Sequence, residues 1–182
     1  MSLRRALFLD RDGVINIDRA YVHRQEDFEF VDGIFELCRL GRSRQYLIFV
    51  ITNQAGIARG YYSEDDFQRL TRWMCERFAV EAAPIDKVYF CPYHPEHGIG
   101  AYKLDSPFRK PRPGMILQAA QEFGIDLARS VLVGDMATDI QAGIAAGIGC
   151  NLLYRSAEGD AAGAAQASGR IGRLDQVGPY LD

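Results

Sequence analysis

Ala6-Leu7-Phe8-Leu9-Asp10-Arg11-Asp12-Gly13-Val14 is the stretch that decides how this chain is read. Four apolar residues make a short buried strand, and two carboxylates two residues apart stand at its carboxyl end. Such a pair is costly, because each loses water and the two repel by about 4 kcal/mol at ~4 Å in an effective dielectric of ~20. One account is a turn in which Asp12-Gly13 breaks the strand and Asp10 caps the next element. The other is a divalent cation between the carboxylates. Oxygen-only ligands suit Mg²⁺, which is commonly held by one or two carboxylates plus substrate phosphate.

Working outward, short β-branched and aromatic runs recur at 46–51, 87–90, 130–133 and 148–154, with helical patterns between them. That alternation predicts an α/β fold: a three-layer, doubly wound parallel sheet with helices on both faces. Ser63-Glu-Asp-Asp66 reads as a capping box, opening a helix with Phe67, Leu70, Met74 and Phe78 on one face and Trp73 packed beside them. Pro113 and Gly124 bracket a second helix, with Ile116, Ala120 and Phe123 inward, and Gly147 closes a third over 137–146. The stretch 156–169 is mostly Ala, Gly and Ser and is expected to be a surface loop, at most with a ragged helix. All 182 residues are read as one domain.

In open parallel sheets, ligands bind beyond the carboxyl ends of the strands. Four polar stations lie there: Asp10-Arg-Asp12, Thr52-Asn53-Gln54, Arg109-Lys110 ahead of the Pro113 helix, and Gly134-Asp135 with Asp139. Each alone has a plain structural reading, as strand residue, cap, solvated loop charge or first-turn acid. Together, and in this order, they can perform phosphoryl transfer. Asp10 attacks phosphorus, and Asp12 protonates the leaving oxygen and later deprotonates water. Mg²⁺ is assigned to Asp10, Asp135 and the backbone carbonyl of Asp12, while Thr52 and Lys110 take phosphoryl oxygens.

These motifs resemble those of the haloacid dehalogenase superfamily. Phe8-Leu-Asp-Arg-Asp-Gly-Val-Ile-Asn16, Tyr21-Val-His23, Ile51-Thr-Asn-Gln-Ala-Gly-Ile-Ala-Arg-Gly60, Cys91-Pro-x-His-Pro95 and Arg109-Lys-Pro-x-Pro-Gly-Met115 are similar to its branch of heptose 1,7-bisphosphate phosphatases. The similarity runs from about residue 6 to 155. It implies a Mg²⁺-dependent phosphatase that removes the C7 phosphate of a sugar bisphosphate, without a large cap domain. It places substrate contacts on Asp18, Arg19, Ala20, Tyr21, Thr52, Asn53, Gln54, Ala55, Arg109 and Lys110. Histidinol-phosphate phosphatase is the sister reading, and a phosphate-binding domain without turnover is the reading from another class.

Two departures matter. Many members of the branch hold a structural zinc with Cys-x-His and a later Cys-x-Cys. Here Ser106-Pro-Phe108 stands where the second pair belongs, so the tetrahedral set is incomplete and zinc is expected to be absent. The competing reading is a remodelled site using Cys91, His94 and His97, with Asp105 as a fourth ligand. Met136 replaces a lysine often found after the metal-binding aspartate. Composition is ordinary for a soluble domain, 48% hydrophobic and 25% charged, with net charge −3. Scattered basic residues argue against nucleic acid, and no membrane span or C-x-x-C pair is present. The expectation is a monomeric cytoplasmic enzyme acting on a small sugar phosphate.

Overall fold

A computed structural model describes residues 3–155 and 166–181. Six strands, β1 (Arg5–Leu9), β2 (Tyr46–Asn53), β3 (Lys87–Cys91), β4 (Val131–Gly134), β5 (Cys150–Tyr154) and β6 (Gly169–Ile171), form one sheet in the order β3-β2-β1-β4-β5-β6. Every pairing is parallel, with Phe8 opposite both Phe49 of β2 and Leu132 of β4. The doubly wound sheet expected from the sequence is therefore present.

Side-chain alternation along the strands builds two cores. Leu7, Leu9, Ile48, Val50, Val131, Val133, Leu152 and Tyr154 face one layer. That layer is made of α1 (Ile34–Ser43), α3 (Glu64–Val80) and a C-terminal 3-10 helix, Leu174–Tyr180. Ala6, Phe8, Phe49, Ile51, Leu132 and Leu153 face α4 (Gly114–Phe123) and α5 (Ala137–Ala146) on the other side. Because both faces are covered, the strands read as continuous apolar runs. The Ser63–Asp66 capping box forms as expected, with Asp66 N donating to Ser63 Oγ at 3.1 Å and Ser63 N to Asp66 Oδ2 at 2.9 Å.

The outcome differs from the sequence reading at a few places. β2 extends through Thr52 and Asn53, and a one-turn helix, α2 (Ala55–Ala58), comes directly after it. Pro113 is the N-cap of α4 and lies outside its first turn. Residues 156–165, most of the expected surface loop, lie outside the described residues. Its last residue, Gly169, instead opens β6, paired through Leu152, Leu153 and Tyr154. The two segments long enough to matter for a cap, 10–33 and 92–113, contain one 3-10 turn each, Gln25–Asp27 and Gly100–Tyr102. No described helix is long and apolar enough to cross a membrane.

Candidate active site

Strand order reverses between β1 and β4, so the loops leaving these two neighbours diverge and open a crevice at their carboxyl ends. A cleft of about 330 Å³ lies there. Asp10, Asp12, Asp18, Ala20, Tyr21, Thr52, Asn53, Gln54, Ala55, Lys110, Asp135 and Asp139 all line it. Four stations spread along the sequence from Asp10 to Asp139 thus converge on one wall.

Asp10 continues the ladder, its N–H donating to Val133 O at 3.1 Å. Beneath it lies Lys110, only 4% exposed, whose ammonium donates to Asp10 Oδ1 (2.8 Å) and Ile51 O (2.9 Å) and pairs with Asp139 Oδ1 (2.6 Å). Burial lifts the Asp10 carboxyl well above the ordinary range; Lys110 opposes the shift, while Asp139 and Asp135 add to it. Lys110 is itself held as a cation, because Asp10 and Asp139 outweigh its burial. The backbone of Lys110 is clamped by Asn53, whose Oδ1 accepts from Lys110 N (3.0 Å) and whose Nδ2 donates to Lys110 O (3.1 Å). Asn53, expected to touch substrate, therefore has its amide engaged in placing the lysine.

Asp12 sits in a separate, charge-balanced nest. Buried Arg11 donates Nη2 to Asp12 Oδ1 (2.9 Å) and Nε to Oδ2 (3.1 Å), and Nη2 also donates to Val22 O (2.7 Å). Asn16 Nδ2 donates to Oδ1 and Gln54 Nε2 to Oδ2, both at 3.1 Å. Gln54 Nε2 also donates to the Thr52 hydroxyl at 2.8 Å. Hydrogen bonds to an ionised partner are the stronger kind, and four of them on one carboxylate fix its direction. Sequence reasoning alone gives Arg11 and Asn16 no role. An arginine between two aspartates reads as a solvated charge, and only its burial distinguishes it.

The third acid, Asp135, comes just after β4. Its Oδ1 is buried with no hydrogen-bond partner among the described residues, and its pKa is pushed up to about 7, chiefly by burial and then by Asp139. Gly13 makes room for it: the backbone there has φ +93°, and a Cβ would stand 2.0 Å from Asp135 Oδ2. Carboxylate oxygens of Asp10, Asp135 and Asp139 lie within 4.8 Å of one another. When all three acids are ionised, one ammonium leaves two negative charges uncompensated, since Arg11 already balances Asp12. An orphaned carboxylate oxygen in an all-oxygen, doubly negative corner fits Mg²⁺. Asp139 is the least available of the three, because Lys110 takes Oδ1 and Met136 N donates to Oδ2 at 3.1 Å. Asp10 and Asp135 are therefore the carboxylates left open to such an ion, and Asp139 emerges as the anchor of Lys110.

At the rim, Ala20 and Tyr21 adopt left-handed backbone (φ 58° and 59°), supported by Ala20 N donating to Asp18 Oδ1 at 2.8 Å. Tyr21 packs edge-on against Tyr61. The Arg19 side chain is ion-paired with Glu29 at 2.5 Å, outside the cleft. Arg109 is half-buried, with Nη1 reaching Tyr93 O at 3.3 Å. Met136 stands exposed at the mouth. In the third loop, the Cys91 thiol is directed at Tyr93 O, and His94 Nδ1 accepts from the amides of Glu96 and His97. Among the described residues, Cys91, His94 and His97 do not form a convergent ligand group, whereas the aspartates do.

Comparison with known proteins agrees with this geometry. The HAD-hydrolase-like family model matches residues 107–172. A D-glycero-alpha-D-manno-heptose-1,7-bisphosphate 7-phosphatase of Burkholderia mallei is 60% identical over 97% of this chain and 93% of its own length. A D-glycero-beta-D-manno-heptose-1,7-bisphosphate 7-phosphatase of Vibrio cholerae is 50% identical over 83% of this chain and 81% of its own. Among solved structures, the D,D-heptose 1,7-bisphosphate phosphatase of B. bronchiseptica, complexed with magnesium and phosphate, superposes with TM-score 0.83 at 27% identity and 97% coverage of both chains. Identity of this extent over nearly the whole length places the chain in the family of heptose-1,7-bisphosphate 7-phosphatases, HAD-like phosphoric monoester hydrolases.

Proposed function

We propose that the protein removes the C7 phosphate of D-glycero-D-manno-heptose 1,7-bisphosphate, with Mg²⁺ and through a phosphorylated Asp10, and that the α anomer is preferred. The observation that carries the reading is Asp10 set between Lys110 and the orphaned Asp135, with Asp12 held separately beside it. The preference for the α anomer rests on the 60% identical relative that bears that name.

An Asp10 carboxylate oxygen forms the new bond to phosphorus as the bond to the C7 oxygen breaks, and the departing oxygen takes the proton carried by Asp12. Asp12, now a carboxylate, removes a proton from water as that water displaces Asp10, restoring both groups and releasing phosphate. The Thr52 hydroxyl faces the phosphoryl oxygens, and Lys110, its three donors on Asp10, Ile51 O and Asp139, offsets their charge from beneath Asp10. Mg²⁺, held by Asp10 and Asp135 with the Asp12 carbonyl, supplies charge neutralisation for the phosphoryl group.

The far phosphate is assigned to Arg109 and Arg59, which do not themselves line the cleft. Arg109 neighbours Lys110 in the chain and Arg59 closes α2. Burial and the like charge of Arg59 hold the Arg109 guanidinium below its usual range, and Arg59 Nε is buried with no partner among the described residues. Two half-buried guanidinium groups with no carboxylate partner among the described residues suit a phosphate dianion. Free thiols at all four cysteines support a reducing compartment, and we assign the cytoplasm and a monomer.

The test is phosphate release from the α and β heptose 1,7-bisphosphates and from histidinol phosphate, with the remaining monophosphate located by ³¹P NMR. Loss of the C7 phosphate with the highest kcat/KM on the α anomer supports the proposal. Preference for histidinol phosphate would move the protein to the sister reading.

A further inference from the structure

Tyr62 belongs to none of the stations that the sequence marks, yet it reaches the catalytic groups through one intermediary. We propose that Tyr62 is a positioning residue for phosphoryl transfer: its hydroxyl fixes the Gln54 amide so that one NH₂ group serves Asp12 and Thr52 together. The proposal rests on the phosphatase reading and adds a residue to its machinery.

The geometry is a chain of buried hydrogen bonds. Tyr62 OH donates to Gln54 Oε1 at 2.5 Å, and Gln54 Nε2 donates to Asp12 Oδ2 at 3.1 Å and Thr52 Oγ1 at 2.8 Å. Gln54 and Thr52 are almost wholly buried. An amide has two orientations, and its neighbours select between them. Turned the other way, Gln54 would point its carbonyl at the Asp12 carboxylate, acceptor against acceptor. A phenol donor on Oε1 removes that alternative, and burial keeps the phenol protonated.

One consequence reaches Thr52. Its oxygen already accepts from Gln54, so its own proton is free to be donated into the cleft, where a phosphoryl oxygen would lie. A second consequence concerns Asp12, whose Oδ2 is pinned by Gln54 and Arg11 while Asn16 and Arg11 hold Oδ1.

The fold provides for Tyr62 in two ways. Its ring lies flat on that of His23, with centroids 4.9 Å apart and planes 5° from parallel. Gly56 also leaves the space, since a Cβ there would be 2.2 Å from Tyr62 Cε1. The glycine of α2 is thus needed for the tyrosine to approach Gln54.

Tyr62→Phe keeps the ring and removes the hydroxyl. With Mg²⁺ present, kcat should fall about tenfold, the effect of one lost buried hydrogen bond, with KM within about twofold of wild type. Gln54→Met should lose more, and Tyr62→Phe combined with Gln54→Met should lose no more than Gln54→Met alone, because Tyr62 acts through the amide. Gly56→Ala, whose Cβ would crowd the Tyr62 ring and hydroxyl alike and so displace both from Gln54, should reproduce the kcat defect. Wild-type kcat in Tyr62→Phe overturns the proposal, as does a double variant in which the two losses multiply. The ratio of variant to wild type is read on whichever phosphate ester the wild type hydrolyses, so failure on heptose bisphosphate alone counts against the substrate assignment and leaves this test intact.

Discussion

Replacing Lys110 with methionine tests the charge arrangement at the centre of the site. The ammonium lies 2.8 Å from Asp10 and 2.6 Å from Asp139. At an effective dielectric of ~20, each contact amounts to about 6 kcal/mol of Coulomb attraction before desolvation is charged against it. Methionine is nearly isosteric, so packing is retained while two buried carboxylates lose their counter-ion. Breaking a buried pair in this way costs ~3–5 kcal/mol. Part of the loss returns when a carboxyl takes up a proton, and this gives the prediction its sign. Asp10 already has a folded-state pKa well above its ordinary value, and Lys110 is what holds it down. Without the lysine it rises further, so the folded variant binds more protons than the unfolded chain above the ordinary carboxylate pKa. Stability then falls as pH rises, by up to ~1.4 kcal/mol per pH unit for one proton. Urea unfolding with EDTA at about pH 8 should show Lys110→Met weaker than wild type by ~3–5 kcal/mol, and at about pH 5.5 by ~1–3 kcal/mol. Phosphate release with Mg²⁺ should fall at least ~100-fold. A deficit below ~1 kcal/mol at the higher pH, or one equal at both, would refute the reasoning.

Asp10→Asn should abolish turnover and leave thermal stability unchanged or higher, since the amide relieves repulsion from Asp135 and Asp139; residual phosphate release near wild type would remove Asp10 as nucleophile. Asp12→Asn should cost ~10²–10⁴-fold in kcat on an alkyl phosphate, and an unaltered rate there would take Asp12 out of the proton-transfer role. Because the Asp135 carboxyl sits at about 7 and must lose its proton to ligate, Mg²⁺ should expel protons on binding and bind more weakly below that pH; calorimetry in buffers of different ionisation enthalpy measures this, and a pH-independent affinity contradicts it. Arg109→Ala should lower kcat/KM on heptose 1,7-bisphosphate by ~10–100-fold, the loss of a charged hydrogen bond, and barely affect p-nitrophenyl phosphate; equal losses would assign Arg109 to the reacting phosphate.

The strands facing both cores are legible in the sequence because their apolar runs carry the pattern unaided, Ala6 to Leu9 above all. Asp10, Thr52, Lys110 and Asp135 are legible because polar residues at strand ends are few and each stands at the mouth of the sheet beside such a run or a helix start. β6 is not, since Gly169-Arg-Ile171 offers one apolar side chain and takes its conformation from pairing with Leu152 to Tyr154. Asp139 looks like a first-turn acid, and it occupies that place, yet its distant partner Lys110 is what decides its work. Tyr62 and Arg11 are hidden for a common reason: each acts through a second side chain, and such indirect contacts leave no spacing in the sequence.

The segments 10–33 and 92–113, with a single short turn each, also bear on the timing of turnover. In enzymes that close a domain over the substrate, the lid must reopen before water or product can pass, and that motion often limits kcat. Among the described residues nothing of domain size stands above the crevice, so the proposed turnover at Asp10 needs no domain-sized lid to reopen. In the proposed cycle water and phosphate would pass by the same face, and kcat is expected to follow bond making and breaking at Asp10 and Asp12.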